Sequence, residues 1–380
     1  MIVLFWISAL IVAYVYVGYP ALLGVWARVV DRRPRRMPFA AGAWPSISII
    51  VAARNEAARL PGRVANLLAQ EYPGRREIIV VSDGSTDDPE AALAPLIRAA
   101  GSSRTIRLLE VPAGGKPAAL NAGVAAAAGD ILVFADARQR FAPGAIAALV
   151  SNFADARVGG ATGELVLDSE QQEVDTAVGE GIGLYWRYEK WLRRNESRVW
   201  STLGATGAIY ALRRRCWSPL PQATLLDDVL APMRAVLDGC RIVFDDAAVA
   251  YDRASADAAA ESRRKTRTLA GNYQILAQEP RLLVPFVNPV WLQYVSHKVG
   301  RLVVPWALVG LLVSSIALAQ RHVLFALLLA AQGVFYGLAL SGAMFQVRDR
   351  LARVAYTFVM MNVSAVAGLL ALRRLREVWR

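Results

Sequence analysis

Cysteine is scarce in this chain of 380 residues: only Cys216 and Cys240 occur. That excludes a disulfide framework as the source of stability, and both residues are expected to be buried, inert thiols of a cytosolic domain. No internal repeat or low-complexity tract is present beyond Ala-rich stretches such as Ala125 to Ala128. No G-x-G-x-x-G follows the first strand-like run, which argues against a dinucleotide-binding dehydrogenase. The Gly-rich phosphate loop with a basic tail that a nucleotidyltransferase would carry near that strand is missing as well. Charge is missing altogether from Ile2 to Trp26. This stretch is longer than the apolar region of a signal peptide, and no small-residue cleavage site precedes the arginines after it, so it reads as a retained transmembrane helix.

What is present points to a membrane protein with one catalytic domain. The chain is long enough for one sizeable α/β domain and a few membrane helices, but not for two large soluble domains besides. Its hydrophobic content is 55%, and the apolar residues concentrate at the two ends. Lys+Arg 43 against Asp+Glu 31 gives a net charge of +12, which on charge alone suits anionic lipid, a diphosphate ligand or nucleic acid equally. Arg28, Arg32, Arg33, Arg35 and Arg36 follow the first helix and place the next domain in the cytoplasm by the positive-inside tendency. Pro34, Pro38 and Pro45 make that stretch a linker.

Three further membrane segments are expected at Leu302 to Ala319, Val323 to Val347 and Val354 to Leu372, separated by Arg321-His322 and by Arg348 to Arg353. Pro285 to Arg301 mixes Trp291, Tyr294, His297, Lys298 and Arg301 with apolar residues, which suits a helix lying in the interface. Three C-terminal spans would leave Arg373, Arg374, Arg376 and Arg380 outside, against the positive-inside bias, so the last segment is open to a re-entrant or interfacial reading. The expected division is therefore a membrane helix over 1–27, a basic linker over 28–45, a cytoplasmic domain over 46–280, an interfacial helix over 281–301 and membrane-associated helices over 302–380.

Within 46–280 the first half alternates short β-branched runs with Ala/Leu-rich stretches, the habit of a parallel sheet covered by helices. Strands are expected at Ile47 to Ala52, Glu77 to Ser82, Ile106 to Val111 and Ile131 to Ala135, with helices at Glu56 to Gln70 and Lys116 to Ala128. Ligands of such sheets bind beyond the carboxyl ends of the strands. The polar residues there are Arg54-Asn55-Glu56 after the first strand and Asp83-Gly84-Ser85 after the second. An Asp-Gly-Ser stretch alone allows an ordinary turn and helix cap as well as a ligand contact.

Taken together, these two stretches resemble the nucleotide-binding half of family 2 glycosyltransferases with the GT-A fold. The resemblance implies a GT-A type α/β domain, a mostly parallel sheet covered by helices and flanked here by transmembrane helices. Asp83 matches the acid that contacts the nucleoside, and Arg54 and Glu56 stand in the matching segment of the first strand. Gly114-Gly115-Lys116-Pro117-Ala118-Ala119-Leu120-Asn121 resembles the family's Gly-Lys-x-x-Ala-Leu-Asn stretch, in which the residues matched by Lys116 and Asn121 reach the nucleotide. Phe134-Ala135-Asp136-Ala137-Arg138 resembles the D-x-D element that offers carboxylates to Mg²⁺ or Mn²⁺. Asp136 matches the first acid, and Arg138 replaces the second. That leaves Asp136 with water and another carboxylate as a metal site, or Arg138 as a neutraliser of phosphate charge.

On the acceptor side, Gly204-Ala205-Thr206-Gly207-Ala208 resembles the family's strand and turn, with Thr206 and Gly207 near the acceptor. Leu226-Asp227-Asp228 falls where the family has its T-E-D element, so Asp228 matches the catalytic base of inverting members and Asp227 its acidic neighbour. Such a base must lie within hydrogen-bond reach of the acceptor hydroxyl. Arg264 and Arg267 stand at the Gln and Arg of the Q-x-x-R-W element of processive members and suit phosphate oxygens; a basic helix face at the lipid surface is the alternative. Thr268 stands for the Trp, so polymer synthesis with coupled translocation is not implied. The aromatic run Tyr185 to Trp191 allows an acceptor-side helix or simple packing.

The resemblance spans roughly Ile47 to Arg267. It implies an inverting transferase at a cell inner membrane that moves a hexose or N-acetylhexosamine from a nucleotide sugar, a UDP-sugar at family level, to a lipid-linked or glycan acceptor. Membrane lipid is then the other partner, and nucleic acid is not one. A nucleotidyltransferase and a non-catalytic membrane scaffold with a degenerate transferase domain are the alternatives.

Overall fold

The computed structural model describes residues 1–33, 39–40, 42–101, 106–168, 177–253, 258–345 and 349–372. Arg35, Arg36, Pro34, Pro38, Arg348 and the arginines from Arg373 onward lie outside the described residues. In chain order the elements are α1 (Ile2–Val30), β1 (Ile47–Ala53), α2 (Leu60–Leu68), β2 (Arg76–Asp83), α3 (Pro89–Ala99), β3 (Ile106–Val111), α4 (Lys116–Ala126), β4 (Ile131–Asp136), β5 (Arg140–Phe141), α5 (Ala145–Ser151), β6 (Val158–Asp168), α6 (Ala177–Val199), β7 (Ile209–Arg213), α7 (Asp227–Leu237), β8 (Arg241–Arg253) and α8 (Ala258–Gln278). Three apolar helices follow, α9 (Trp291–Leu318), α10 (Val323–Phe345) and α11 (Arg350–Ala371).

One sheet of order β3-β2-β1-β4-β7-β6-β8-β5 organises the domain. It is parallel from β3 to β4, as the apolar runs of the first half imply. Beyond β4 it is mixed: β7 is antiparallel to both its neighbours, while β6 and β8 run parallel. Consecutive residues of the central strands are buried on opposite faces, because side chains alternate across a sheet. Ile49, Val80 and Val133 pack with Leu60, Val64 and Leu67 of α2. Ile50, Val81 and Phe134 pack with Leu120 and Val124 of α4 and Leu230 and Met233 of α7. The expected helix from Glu56 starts only at Leu60, after a turn in which the Arg59 and Leu60 amides donate to Glu56 O. Pro61, with its fixed φ and no N–H to place, suits that start.

Among the described residues four helices are long and apolar enough to cross a membrane. The first and second each contain one π-helical turn, Tyr14–Gly18 and Val295–Val299, and these turns meet. The Tyr14 and Ser296 hydroxyls are 2.7 Å apart, and a Cβ on Gly300 would lie 2.8 Å from Val15. The expected interfacial helix over 281–301 is not a separate element. Pro280–Leu283 is a single 3₁₀ turn, and from Trp291 the chain runs straight into the spanning helix, because no proline or glycine interrupts the apolar register between Trp291 and Val299.

The membrane helices are bolted to the domain by buried polar groups. Glu196 of α6 accepts from Tyr19 of α1 at 3.0 Å and lies 2.6 Å from His297 Nδ1 of α9. Glu189, two turns earlier on the same face of α6, pairs with Arg301.

α9 leads away from the domain and α10 returns, with Phe325 packed on Phe5 at the far end. At its near end Gly342 of α10 abuts Ala352 of α11. The other end of α11 also touches domain-side groups: Ala365 clusters with Leu269 and Leu302, and a Cβ on Gly368 would lie 2.7 Å from Ala270 N of α8. Both ends of α11 therefore sit beside domain-side elements, so this helix lies along the domain-side rim although its length would let it span. In a background lacking Cys216 and Cys240, cysteines at Arg98, Asp349 and Arg373 should react with an impermeant thiol reagent from one side of the membrane, and one at Arg321 from the other. Labelling of Arg373→Cys from the Arg321 side would contradict this placement.

Candidate active site

The strand ends that sequence singled out converge. Asp83, at the end of β2, is buried, and its carboxylate accepts from Gly114 N at 2.7 Å and Gly115 N at 3.0 Å. It thereby shapes the loop that starts α4. Gly115 has φ +83, open to glycine at no steric cost, and a Cβ on Gly84 would collide with Ala113 at 2.7 Å. Lys116, the first residue of α4, reaches back over the sheet: its Nζ donates to Asp136 Oδ1 at 3.0 Å and lies 3.3 Å from Asp227 Oδ2, an ion pair without hydrogen-bond alignment.

Asp227 and Asp228 open α7, where the N-terminal dipole favours anions. The segment before them turns so that Asp228 Oδ2 accepts from Gly207 N at 3.0 Å, and its carbonyl accepts from Ala205 N at 2.7 Å. A Cβ on Gly207 would sit 3.0 Å from that carboxylate oxygen, so the turn needs its glycine. Thr206 accepts from Arg193 Nη1 at 2.7 Å. Tyr210 of β7 is buried with its hydroxyl unpartnered among the described residues, stacked on Phe134 at 4.5 Å.

Charge sets the protonation states. Burial pulls the Lys116 ammonium down, but Asp136, Asp227 and Asp228 together outweigh it and raise its pKa. Burial first, and then the neighbouring Asp227 carboxylate, push Asp228 up to about 6, against the lowering pull of Lys116. Tyr210 is raised by burial and by the same three acids. Asp228 is thus a carboxylate poised near neutrality, the property a general base needs.

Among the described residues no group of three or more His, Cys, Asp or Glu surrounds one point. Asp136 keeps 34% of its side chain exposed. A hard divalent ion needs only one or two carboxylates when phosphate oxygens and water complete its shell. The residues fit an ion that arrives with a diphosphate.

Other expected residues are placed differently. Asn121 does not reach out: its amide donates to Leu220 O and accepts from Leu220 N, both at 2.9 Å. Arg138 pairs with Asp252 of β8 at 2.8 Å. Glu56 pairs with Arg59, and Arg54 is exposed. Arg264 and Arg267 are exposed on α8, whose Gln274 holds Leu225 N at 2.9 Å just ahead of Asp227. Two further residues had no role of their own assigned from sequence. Asn55, at φ +54, ties the first two strand-end loops by accepting from Thr86 N at 2.9 Å; an Asn in the left-handed region was the available signal. Arg63 lies buried over the Phe141 ring at 4.1 Å, and nothing in its helical context announced it.

The comparisons with known proteins agree with this geometry. The sequence profile of glycosyl transferase family 2 matches residues 48–216. An N-acetylglucosaminyltransferase of Bradyrhizobium elkanii is 30% identical over 130 residues, 34% of this chain and 70% of that protein. The chain belongs to glycosyl transferase family 2. The β-monoglucosyldiacylglycerol synthase of a Nostoc species is 32% identical over 187 residues, 44% of this chain, and the match spans only 40% of that relative's length. The mannosyltransferase PcManGT of Pyrobaculum calidifontis, solved with GDP-Man and Mn²⁺, aligns over 97% of this chain and 99% of its own with a TM-score of 0.72 at 22% identity. That likeness shows a shared fold, the GT-A type expected from sequence.

For this family 2 member the pair of hydrogen bonds between Asn121 and Leu220 has a measurable consequence. Asn121→Ala should lower unfolding free energy by about 1–3 kcal/mol, since it leaves the buried Leu220 N–H and C=O unpaired. Nucleoside diphosphate affinity in calorimetry should stay within about twofold. A large loss of nucleotide affinity with unchanged stability would restore Asn121 to the ligand.

Proposed function

We propose that the protein transfers a hexose or N-acetylhexosamine from a nucleoside diphosphate sugar to a lipid-linked or glycan acceptor, with inversion. The placement of Asp228 carries this reading: a carboxylate with pKa near 6, fixed by Gly207 N and standing beside the Lys116 cluster. The acceptor oxygen attacks the anomeric carbon from the face opposite the leaving group as its proton passes to Asp228. The carbon–oxygen bond to the diphosphate then breaks and the nucleoside diphosphate leaves with the electron pair. Asp83 and the Gly114-Gly115 backbone shape the nucleoside side, and Lys116 supplies positive charge at the diphosphate. Mg²⁺ or Mn²⁺ held by Asp136 would add the neutralisation that a diphosphate leaving group requires. Thr206 and Gly207 face the acceptor. Arg264 and Arg267, on the helix behind Leu225, serve the donor phosphates or the lipid surface.

The family resemblance supports a UDP-sugar as donor, and the GDP-Man bound by PcManGT makes GDP-mannose the second donor to try. The Nostoc relative's name places it in glycolipid synthesis, which supports a lipid acceptor. With four apolar helices and arginines flanking the first, we place the protein in an inner membrane with the domain in the cytoplasm.

Asp228→Asn should cut turnover by about 10²- to 10⁴-fold, the worth of a positioned general base, while leaving nucleotide-sugar binding near normal. Because the base works only when ionised, kcat/KM should rise with pH up to about 6 and level off above; a profile flat from pH 5 to 8 would remove Asp228 from the role. Chelation of divalent ions and Asp136→Asn should each abolish most nucleoside diphosphate release, and full turnover in chelator would leave the neutralisation to Lys116, Arg138 and the Arg264 and Arg267 pair. No release from any donor with any acceptor would favour the scaffold reading instead.

A further inference from the structure

The two cysteines of the chain meet although 24 positions separate them in sequence. Cys216 ends the 3₁₀ turn Arg214–Cys216 that follows β7, and Cys240 stands between α7 and β8. A Cβ on Gly159 would lie 2.8 Å from the Cys240 sulfur, 2.9 Å from the Cys216 sulfur and 2.4 Å from the Cys240 Cβ. Both sulfurs therefore flank one point, and a side chain at 159 would drive into them. Gly159 falls at a register shift of β6, between Val158 and Gly160, where an irregular strand lets one residue step out of the pairing. The glycine thereby gives the thiols the room in which they face each other.

Two buried, inert thiols were expected, and Cys240 differs on both counts. Cys216 is buried, but Cys240 is half-buried, next to the exposed Asp238 and Gly239. The Cys216 thiol beside it draws the Cys240 thiol below its ordinary range, helped by Arg215 and Arg213 and opposed by burial and Asp238. Cys216 is pushed the other way, by Cys240 first and then by burial. An accessible thiol inclined to ionise, beside a covered one that keeps its proton, has the form of an attacking and a resolving cysteine.

Cys240 is also tied to the helix that opens with the acid pair. Gly239, at φ +84, ends α7 in a left-handed turn. Its amide donates to Val236 O at 3.0 Å and the Cys240 amide to Ala235 O at 2.9 Å, the closing pattern of a helix C-terminus. A bond between the sulfurs would tether this end of α7 to the end of β7 and close a loop that contains Asp227 and Asp228.

We propose that Cys216 and Cys240 are a modification site for hydroperoxides, a dithiol that closes to a disulfide and is reopened by small thiols. The Cys240 thiolate attacks the outer oxygen of the hydroperoxide; a sulfur–oxygen bond forms, the oxygen–oxygen bond breaks, and the departing hydroxide or alkoxide takes up a proton. Cys216 then attacks that sulfur, the sulfur–sulfur bond forms, and the hydroxyl group leaves as water with the Cys216 proton. Two electrons pass from the two thiols to one hydroperoxide, and a small thiol returns them by exchange. The inference does not rest on the transferase reading, since the pair lies at the end of α7 away from Asp228.

The test treats the full chain in detergent micelles with hydrogen peroxide at neutral pH and follows intact mass, with thiols counted by iodoacetamide after denaturation. The mass should fall by two hydrogens as both thiols disappear together, several-fold faster than glutathione is oxidised in the same buffer, and dithiothreitol should restore both. The oxidised chain should melt several degrees above the reduced one, because the closed loop restricts the unfolded chain. Cys216→Ser should stop at a sulfenic acid on Cys240 that dimedone captures, and Cys240→Ser should leave Cys216 reduced under the same treatment. Oxidation slower than that of glutathione, sulfinic acid on Cys240 of the unaltered chain in place of the disulfide, or disulfides formed only between chains would overturn the proposal. An unchanged melting temperature after closure would overturn the tether of α7.

Discussion

The contact on which the site depends is one ammonium among three carboxylates. Lys116 is hydrogen-bonded to Asp136 and ion-paired with Asp227, with Asp228 close enough to act on it electrostatically. Two acids at the start of one helix, facing a third at the end of a strand, would repel one another and resist burial. The lysine makes that arrangement tolerable, and breaking such a pair by removing one partner costs at most about 3–5 kcal/mol. It also couples three pieces of chain, since the loop before α4 is shaped by Asp83, Asp136 ends β4, and the acidic pair opens α7. Under the proposed function, a diphosphate entering here would meet a positive group already aimed, and the acceptor would meet a carboxylate left part-way between its two protonation states.

A second polar cluster joins chemistry to membrane. Glu196 and Glu189 project from α6 onto Tyr19, His297 and Arg301 of the membrane helices. Charges buried at such a junction are expensive unless paired, so the helices have few ways to dock, and the domain is held at a fixed height and angle. The meeting of the two π-helical turns, where Tyr14 faces Ser296, serves the same end by bringing groups to the seam that an ordinary α-helical register would turn away. α6 then packs on the first membrane helix through Leu192 and Val199 and reaches Thr206 through Arg193.

Much of this could be read from sequence where the signal was local. β1, β2 and β4 are parallel strands largely buried on both faces, so each carries an apolar run whose end brings the polar residues, Asp83 among them; Lys116 and Asp136 were named by the family motifs they match. The acids of α7 were legible as an adjacent pair. What escaped depended on partners far along the chain: Asn121 closes on Leu220, 99 residues away, and Arg138 on Asp252, 114 away, contacts that motif spacing cannot express. The antiparallel β7 was hidden because its direction is set by tertiary pairing rather than by composition. Hydropathy could give the length of α11 but not its lie, which follows from Gly368 nesting against α8. In the stretch before the second membrane helix, His297 and Arg301 looked from sequence like residues facing lipid head groups, and they pair with α6.

The central claim is that Lys116 keeps Asp228 near neutrality, and a direct titration tests it. With aspartate carboxyls labelled in ¹³C, the Asp228 resonance, assigned by its loss in Asp228→Asn, should titrate at about pH 6 in the unaltered chain. In Lys116→Met it should move upward by about one pH unit or more, because burial and Asp227 then act without their counterweight. An Asp228 carboxyl that titrates in the ordinary range near pH 4, or one indifferent to the loss of Lys116, would contradict the account.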